Sequence, residues 1–345
     1  MTPVFLHTVS APEIRHNTLD FIDIWRLKAQ KANGRPFRAD EDINIVTFDI
    51  VKAVAFGEGD AQSMTQLHMG IVQETEGGGI DDMDTIFKFP AYPPNDILVS
   101  HNLHQEAVGA SLTSPSPSLY HKSNNRRFKM QEAYGTRHRM VQQQIKLAVK
   151  RLEGGDTVKS ALDYTIKREV NAATKTGRQP VLDSPYMQDE LYGYIGAGHE
   201  TTSTSFQWAV KHLSGHPRIQ QKLRQSLRAA YVDAAAQHRQ PTVTEITKIQ
   251  VPYLDAVIDE SLRLSGPITA VVRQAQVETT ILGHRAPKGV EVLIPLRGPS
   301  ITQAPFTIDE SLRSESSRSH SHIHGSWNDD PEAFIPESSK WCVSN

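Results

Sequence analysis

Positions at helical spacing dominate the first three quarters of the chain. Ile14, Thr18, Phe21, Ile22, Trp25 and Ala29 form a stripe that Ser10 can cap, with Pro12 in its first turn and Asn33-Gly34 as its stop. Asp40, Glu41 and Asp42 then place acid at the start of a second helix, whose stripe is Ile45, Phe48, Val51, Val54 and Ala55 and whose end is marked by Gly57 and Gly59. Residues 77–94 mix glycines, acids and aromatics without period, and 111–118 (SLTSPSPS) read as a loop. Across residues 122–151, nine Lys or Arg face a single acid, Glu132, while Met140, Val141, Ile145, Ala148 and Leu152 share one side, the pattern of a basic amphipathic helix. Between 269 and 296 the texture changes. Val271, Val272, Val277, Thr279, Thr280 and Ile281, then Val290, Val292, Leu293 and Ile294, are broken by glycine and proline and predict a small antiparallel sheet. The remainder, 297–345, reads as an irregular tail, serine-rich at 313–321, with one further element around 327–334.

Composition narrows the functional classes. A chain of 345 residues with 38% hydrophobic content can bury a sizeable core. Thirty-seven basic against 39 acidic residues leave a net charge of -2, so there is no global attraction to nucleic acid, and no aromatic interleaving of the basic helix supports one. The single cysteine, Cys342, excludes a disulfide framework and any multi-cysteine metal site. No uncharged apolar run reaches the roughly 18 residues of a bilayer span, so the chain as written reads as soluble and without an address.

One helix carries an unusual cost. Asp183 or Ser184 before Pro185 starts it, and no breaker follows until Gly215 and Pro217, a length of roughly 45 Å at about 1.5 Å per residue. Gly193, Gly196 and Gly198 lie inside, each about 1 kcal/mol worse than Ala in a helix interior. Gly193, Ala197 and Thr201 follow one i, i+4, i+8 row and Gly198 and Thr202 the adjoining one, leaving a face with little bulk. Two explanations stay open: a large flat group lying on that face, or a close helix crossing. Glu200 and Thr201 stand at the edge of the face with a carboxylate and a hydroxyl.

Ala197-Gly198-His199-Glu200-Thr201-Thr202 resembles the central-helix signature (A/G)Gx(D/E)T(T/S) of the cytochrome P-450 monooxygenases and matches it at every position. The resemblance implies that Ala197 and Gly198 lie over a haem, that Glu200 takes part in proton delivery, and that the Thr201 hydroxyl steers protons to dioxygen. Glu260 and Arg263 share one helix face, three residues apart on a helix with the stripe Tyr253, Leu254, Val257, Ile258 and Leu262. Their position resembles the family's ExxR helix, where the pair is buried and structural. Arg273 resembles the arginine that reaches a haem propionate. The hexapeptide Ile-Asp-Glu-Ser-Leu-Arg recurs at 308–313, but Glu310 and Arg313 lack an apolar stripe upstream and read as a decoy. Residues 287–292 (PKGVEV) resemble the family's PxGxxV strand turn, and 330–337 (DPEAFIPE) the start of its PERF/PERW element, with Ser338 where an arginine is usual.

The fold implied is mainly α: a single incomplete cytochrome P-450-like domain over 1–345, helical over 11–272, with a small antiparallel β region at 273–296. The activity implied is insertion of one oxygen atom from dioxygen into a small organic substrate, with haem as cofactor and electrons from NADPH through a reductase. A full-length member would be anchored to the endoplasmic reticulum membrane. The family's haem loop, FxxGxRxCxG, is not found in the sequence. Cys342 has no Phe, Gly or Arg at the required offsets and is rejected as the iron ligand, so the chain by itself is expected to be inactive. His320, His322 and His324 alternate without neighbouring carboxylates, and His101 with His104, and His212 with His216, have helical spacing but no third ligand in sequence. All are read as structural. The competing reading is a non-catalytic helical interaction protein using the basic helix 122–151.

Overall fold

The computed structural model describes residues 3–57, 63–78, 83–281, 283–298, 301, 303, 309–319 and 330–338. They fall into two compact units, Met1–Ser203 and Thr204–Asn345.

The first unit is helical from its start. Helix α1 (Pro3–Phe5) runs through a π-helical turn, Leu6–Ser10, into α2 (Ala11–Ala32). Ser10 therefore does not cap α2 as its sequence position suggests: its backbone is already helical, its side chain makes no capping bond, and there are no orphan amides for it to satisfy. Asn33 ends the helix in the left-handed region (φ 51°), followed by Gly34 at φ 88°.

Helix α3 (Asp40–Phe56) supplies the centre of the core, with Phe48 and Phe56 fully enclosed. It packs against α2 and against α4 (Met64–Glu74) and α8 (Ala161–Thr176). Asp42, one of the acids at the start of this helix, is buried. Lys28 Nζ reaches it at 2.5 Å, Trp25 Nε1 donates to it at 3.0 Å and Tyr92 OH at 2.8 Å, so the charge has partners on several sides. Asp49 is also buried and accepts from the backbone N–H groups of Met64 and Thr65 at 3.1 and 2.9 Å, an acid placed on the N-terminus of α4. Burial raises its carboxyl above the usual range even so.

The aperiodic loop predicted at 111–118 shrinks to four residues. Helix α5 (Asp96–Leu112) continues through Ser111, and α6 (Pro117–Asn124) begins at a proline whose missing N–H costs a first helical position nothing. The basic run divides here. Lys122 belongs to α6, a turn follows, and α7 (Phe128–Glu153) carries the rest. Several of its cations are spent inside the unit: Arg151 Nη2 donates to Phe56 O at 2.9 Å and to Asp163 at 2.7 Å, and Arg137 pairs with Asp189 and lies over the Tyr192 ring. Helix α9 (Pro185–Gly215) closes the core with Leu191 and Ile195 and continues past Ser203 into the second unit.

In the second unit α10 (Pro217–Ala230) packs on α11 (Val232–Ala236) and on α13 (Pro252–Ser265), and α12 (Val243–Lys248) opens on a Thr242–Glu245 capping box. The predicted sheet exists as two antiparallel ribbons. Strand β1 (Ala270–Gln274) pairs with β4 (Glu291–Pro295), Val272 opposite Leu293, and β2 (Thr279–Ile281) pairs with β3 (His284–Ala286). Leu223, Tyr253, Val257 and Phe334 form the local core. Within the second hexapeptide copy, Glu310–Leu312 form a 3-10 turn rather than an α-helix. His320, His322, His324, Lys340, Trp341 and Cys342 lie outside the described residues. No helix among the described residues is long and apolar enough to cross a membrane.

Candidate functional site

The middle of α9 has two faces. Leu191, Ile195, His199 and Ser203 are spaced by four and all are buried, which fixes the inward side of the helix. Gly193, Ala197 and Thr201 lie roughly opposite. A Cβ added to Gly193 would meet nothing within 4 Å, and Ala197 is exposed. The row with little bulk is thus uncovered within the first unit. The neighbouring glycines do something else. A Cβ on Gly198 would come within 3.2 Å of Val51, so its small size lets α9 close on α3. Gly196 sits against Gln105, whose Nε2 donates to the Gly196 carbonyl at 3.1 Å. Of the two explanations left open by the sequence, a close crossing describes Gly198, and an uncovered flat face describes Gly193 and Ala197.

Thr201 Oγ1 donates to the Ala197 carbonyl at 2.7 Å, the back-bond of a helical threonine, and Glu200 is half-buried beside it. Beside Glu200, on the buried side of α9, lies a third group that sequence alone does not mark. His199 is fully buried; its Nε2 is 3.0 Å from the Asn44 carbonyl and its Nδ1 is 3.1 Å from His101 Nε2. A carbonyl only accepts, so His199 carries its proton on Nε2 and presents a lone pair at Nδ1. Burial pushes the His199 pKa down, and it pushes His101 to about 4, with the neighbouring His199 and His104 adding to the effect. Phe48 packs edge-on to His199 at 5.3 Å between centroids. The signal available in sequence was the Leu191, Ile195, His199, Ser203 stripe; the 98-residue separation of His101 from His199 hid the pairing.

In the second unit, Glu260 and Arg263 are both buried rather than forming a surface pair. Arg263 Nε and Nη2 donate to the two carboxylate oxygens at 2.7 and 2.8 Å. The same guanidinium donates to the carbonyls of Pro331 at 2.7 Å and Ala333 at 3.0 Å, and Ile335 N–H donates to Glu260 Oε1 at 2.8 Å. The pair is therefore a clamp on segment 330–338. Where the family pattern has arginine, Ser338 Oγ donates to Ile335 O at 2.7 Å, and the Ile335 amide supplies Glu260 with a further donor. Phe334 stacks on His212 at 4.8 Å, and Glu337 accepts from Lys222 at 2.8 Å and Tyr253 at 2.9 Å. Arg273, on β1, is exposed and donates to the Val272 carbonyl at 2.9 Å.

The chain is 34% identical to the cytochrome P450 monooxygenase TRI13 of Fusarium sporotrichioides, over 91% of its own length and 56% of that protein's. It is 32% identical to the cytochrome P450 monooxygenase xilC of Penicillium rubens, over 100% of its own length and 60% of that protein's. It thus spans little more than half the length of these relatives. A solved zebra fish cytochrome P450, with progesterone, superposes with a TM-score of 0.59 at 16% identity, covering 95% of this chain and 61% of that one, a likeness of fold. The cytochrome P450 family model matches residues 11–300, and the chain belongs to that family.

Proposed function

We propose that this chain is the larger part of a haem monooxygenase that inserts one oxygen atom of dioxygen into a small organic substrate. The observation that carries the reading is the face of α9 left uncovered at Gly193 and Ala197, which Thr201 continues and the half-buried Glu200 flanks. A flat macrocycle needs a face without side-chain bulk, and this row provides one, so the residues present fit the group. Haem, when bound, supplies the dioxygen chemistry and its thiolate ligand the electron density for it. Ala197 would touch the macrocycle directly. Gly198 contributes by letting α9 approach α3 and so setting the depth of the row. Thr201, with its proton held by the Ala197 carbonyl, has lone pairs to take a proton from Glu200 and pass one on, which makes it a relay. Glu260 and Arg263 are structural, and Arg273 is proposed to leave the Val272 carbonyl for a haem propionate. Electrons would come from NADPH through a reductase.

The thiolate is sought in the coding sequence after codon 345, where FxxGxRxCxG is expected. The functional test uses the gene with that sequence included and compares wild type with Thr201→Ala. Haem content should be unchanged, while product formed per reducing equivalent falls several-fold, because two electrons and two protons then leave with dioxygen as hydrogen peroxide. Unchanged coupling would remove Thr201 from the relay, and lack of haem binding by the extended chain would remove the whole reading.

A further inference from the structure

Three lone-pair-bearing groups converge where the buried side of α9 meets its half-exposed edge. His199 Nδ1 lies 3.1 Å from His101 Nε2 and 3.7 Å from Glu200 Oε1, and the three ligand atoms are all within 4.8 Å of one another. His199 is held in the tautomer that leaves Nδ1 without a proton, because its Nε2–H goes to the Asn44 carbonyl at 3.0 Å. This is the backbone anchoring that metal-bound histidines commonly show.

We propose that His101, His199 and Glu200 form a binding site for a divalent transition-metal ion, Zn2+ fitting best, separate from the haem chemistry. Two nitrogens bonded to one tetrahedral zinc at about 2.0–2.1 Å stand roughly 3.3 Å apart, and the observed 3.1 Å needs only a small opening. Two imidazoles with one carboxylate are a known zinc donor set that leaves a fourth position for water. Metal binding moves the His101 proton from Nε2 to Nδ1, an atom that has no hydrogen-bond partner among the described residues, and replaces the His101–His199 hydrogen bond with two metal–nitrogen bonds. Ions enter beside Glu200, whose side chain is 43% exposed. Since Glu200 is the proposed proton source, an ion held here would block proton delivery, and zinc would inhibit a protein whose haem site is intact.

The test is zinc binding to the 345-residue chain, read by competition with a chromogenic chelator and by metal content after dialysis. One Zn2+ per chain with a dissociation constant below about 1 µM is expected, and Co2+ in its place should give the intense visible absorption of a four-coordinate ion. Glu200→Gln, at a half-exposed position, should keep the helical circular dichroism and weaken binding at least 10-fold. His101→Ala should abolish binding. The combined variant His320→Ala, His322→Ala, His324→Ala should bind as the wild type does. Absence of stoichiometric zinc would show a simple His101–His199 hydrogen bond and overturn the site, as would loss of zinc from the combined variant with Glu200→Gln unaffected. These readouts involve neither haem nor turnover, so failure of the site and failure of the monooxygenase reading are distinguishable.

Discussion

His68 shows what a single buried residue can do to the acid stability of the first unit. It is fully enclosed, stacks on Tyr92 at 3.8 Å between centroids, and neither ring nitrogen has a partner among the described residues. Burial, with Lys28 adding to it and Asp42 opposing, lowers its pKa from 6.5 to about 4. Below pH 6.5 the unfolded chain takes up a proton that the folded chain refuses. The contribution of His68 is therefore full above pH 6.5, falls as pH drops toward 4, and levels off below. His68→Phe keeps the stacked ring and removes two buried unsatisfied nitrogens. It should raise stability by about 1–3 kcal/mol and flatten the loss between pH 6.5 and 4. Denaturant midpoints measured across that range check both parts; a variant as acid-sensitive as the parent would reject the assignment. Nothing in sequence marked His68, because its burial depends on Tyr92 and Lys28, 24 and 40 positions away.

Among the elements, α9 and α13 divide legible from hidden. The length of α9 and its bulk-free row could be read from its breakers and glycine spacing, but not which glycine meets a neighbour, since that depends on how α3 crosses. Gly193→Ala should stabilise the chain by about 1 kcal/mol, its Cβ meeting nothing within 4 Å. Gly198→Ala should gain less or lose, because its Cβ must displace Val51. Equal gains in thermal midpoint would refute the α9–α3 approach. Gly193→Leu in the extended gene product should fold yet retain less haem per chain if the row is the haem face. For α13, Glu260→Ala leaves the Arg263 guanidinium buried without its carboxylate, a loss of about 3–5 kcal/mol, while Glu310→Ala in the 3-10 turn should be near neutral. Similar thermal midpoints for the two would show that the wrong copy had been assigned. The apolar stripe of α13 distinguished the copies, whereas the Ile335 amide under Glu260 was invisible, being a backbone group 75 residues on.

For the molecule as a whole, a net charge of -2 and a sequence pI near 6.7 set colloidal behaviour. Solubility should pass through a minimum near pH 6.7 and recover on either side, a dependence that light scattering across pH would reveal or refute. Fold class was legible at this scale because helical periodicity and the β-branched run are local, whereas the division of the basic run between α6 and α7 was not: it turns on where Phe128 starts a new helix. The clamp on segment 330–338 also bears on how the chain is made. Residue 335 emerges 75 residues after residue 260, and at about 5–20 residues per second that interval lasts roughly 4–15 s. During it α13 exists on the ribosome with Arg263 lacking the carbonyls of Pro331 and Ala333 and Glu260 lacking its backbone donor. The clamp therefore closes only once residue 335 has been made, so the second unit completes its folding late in its own synthesis.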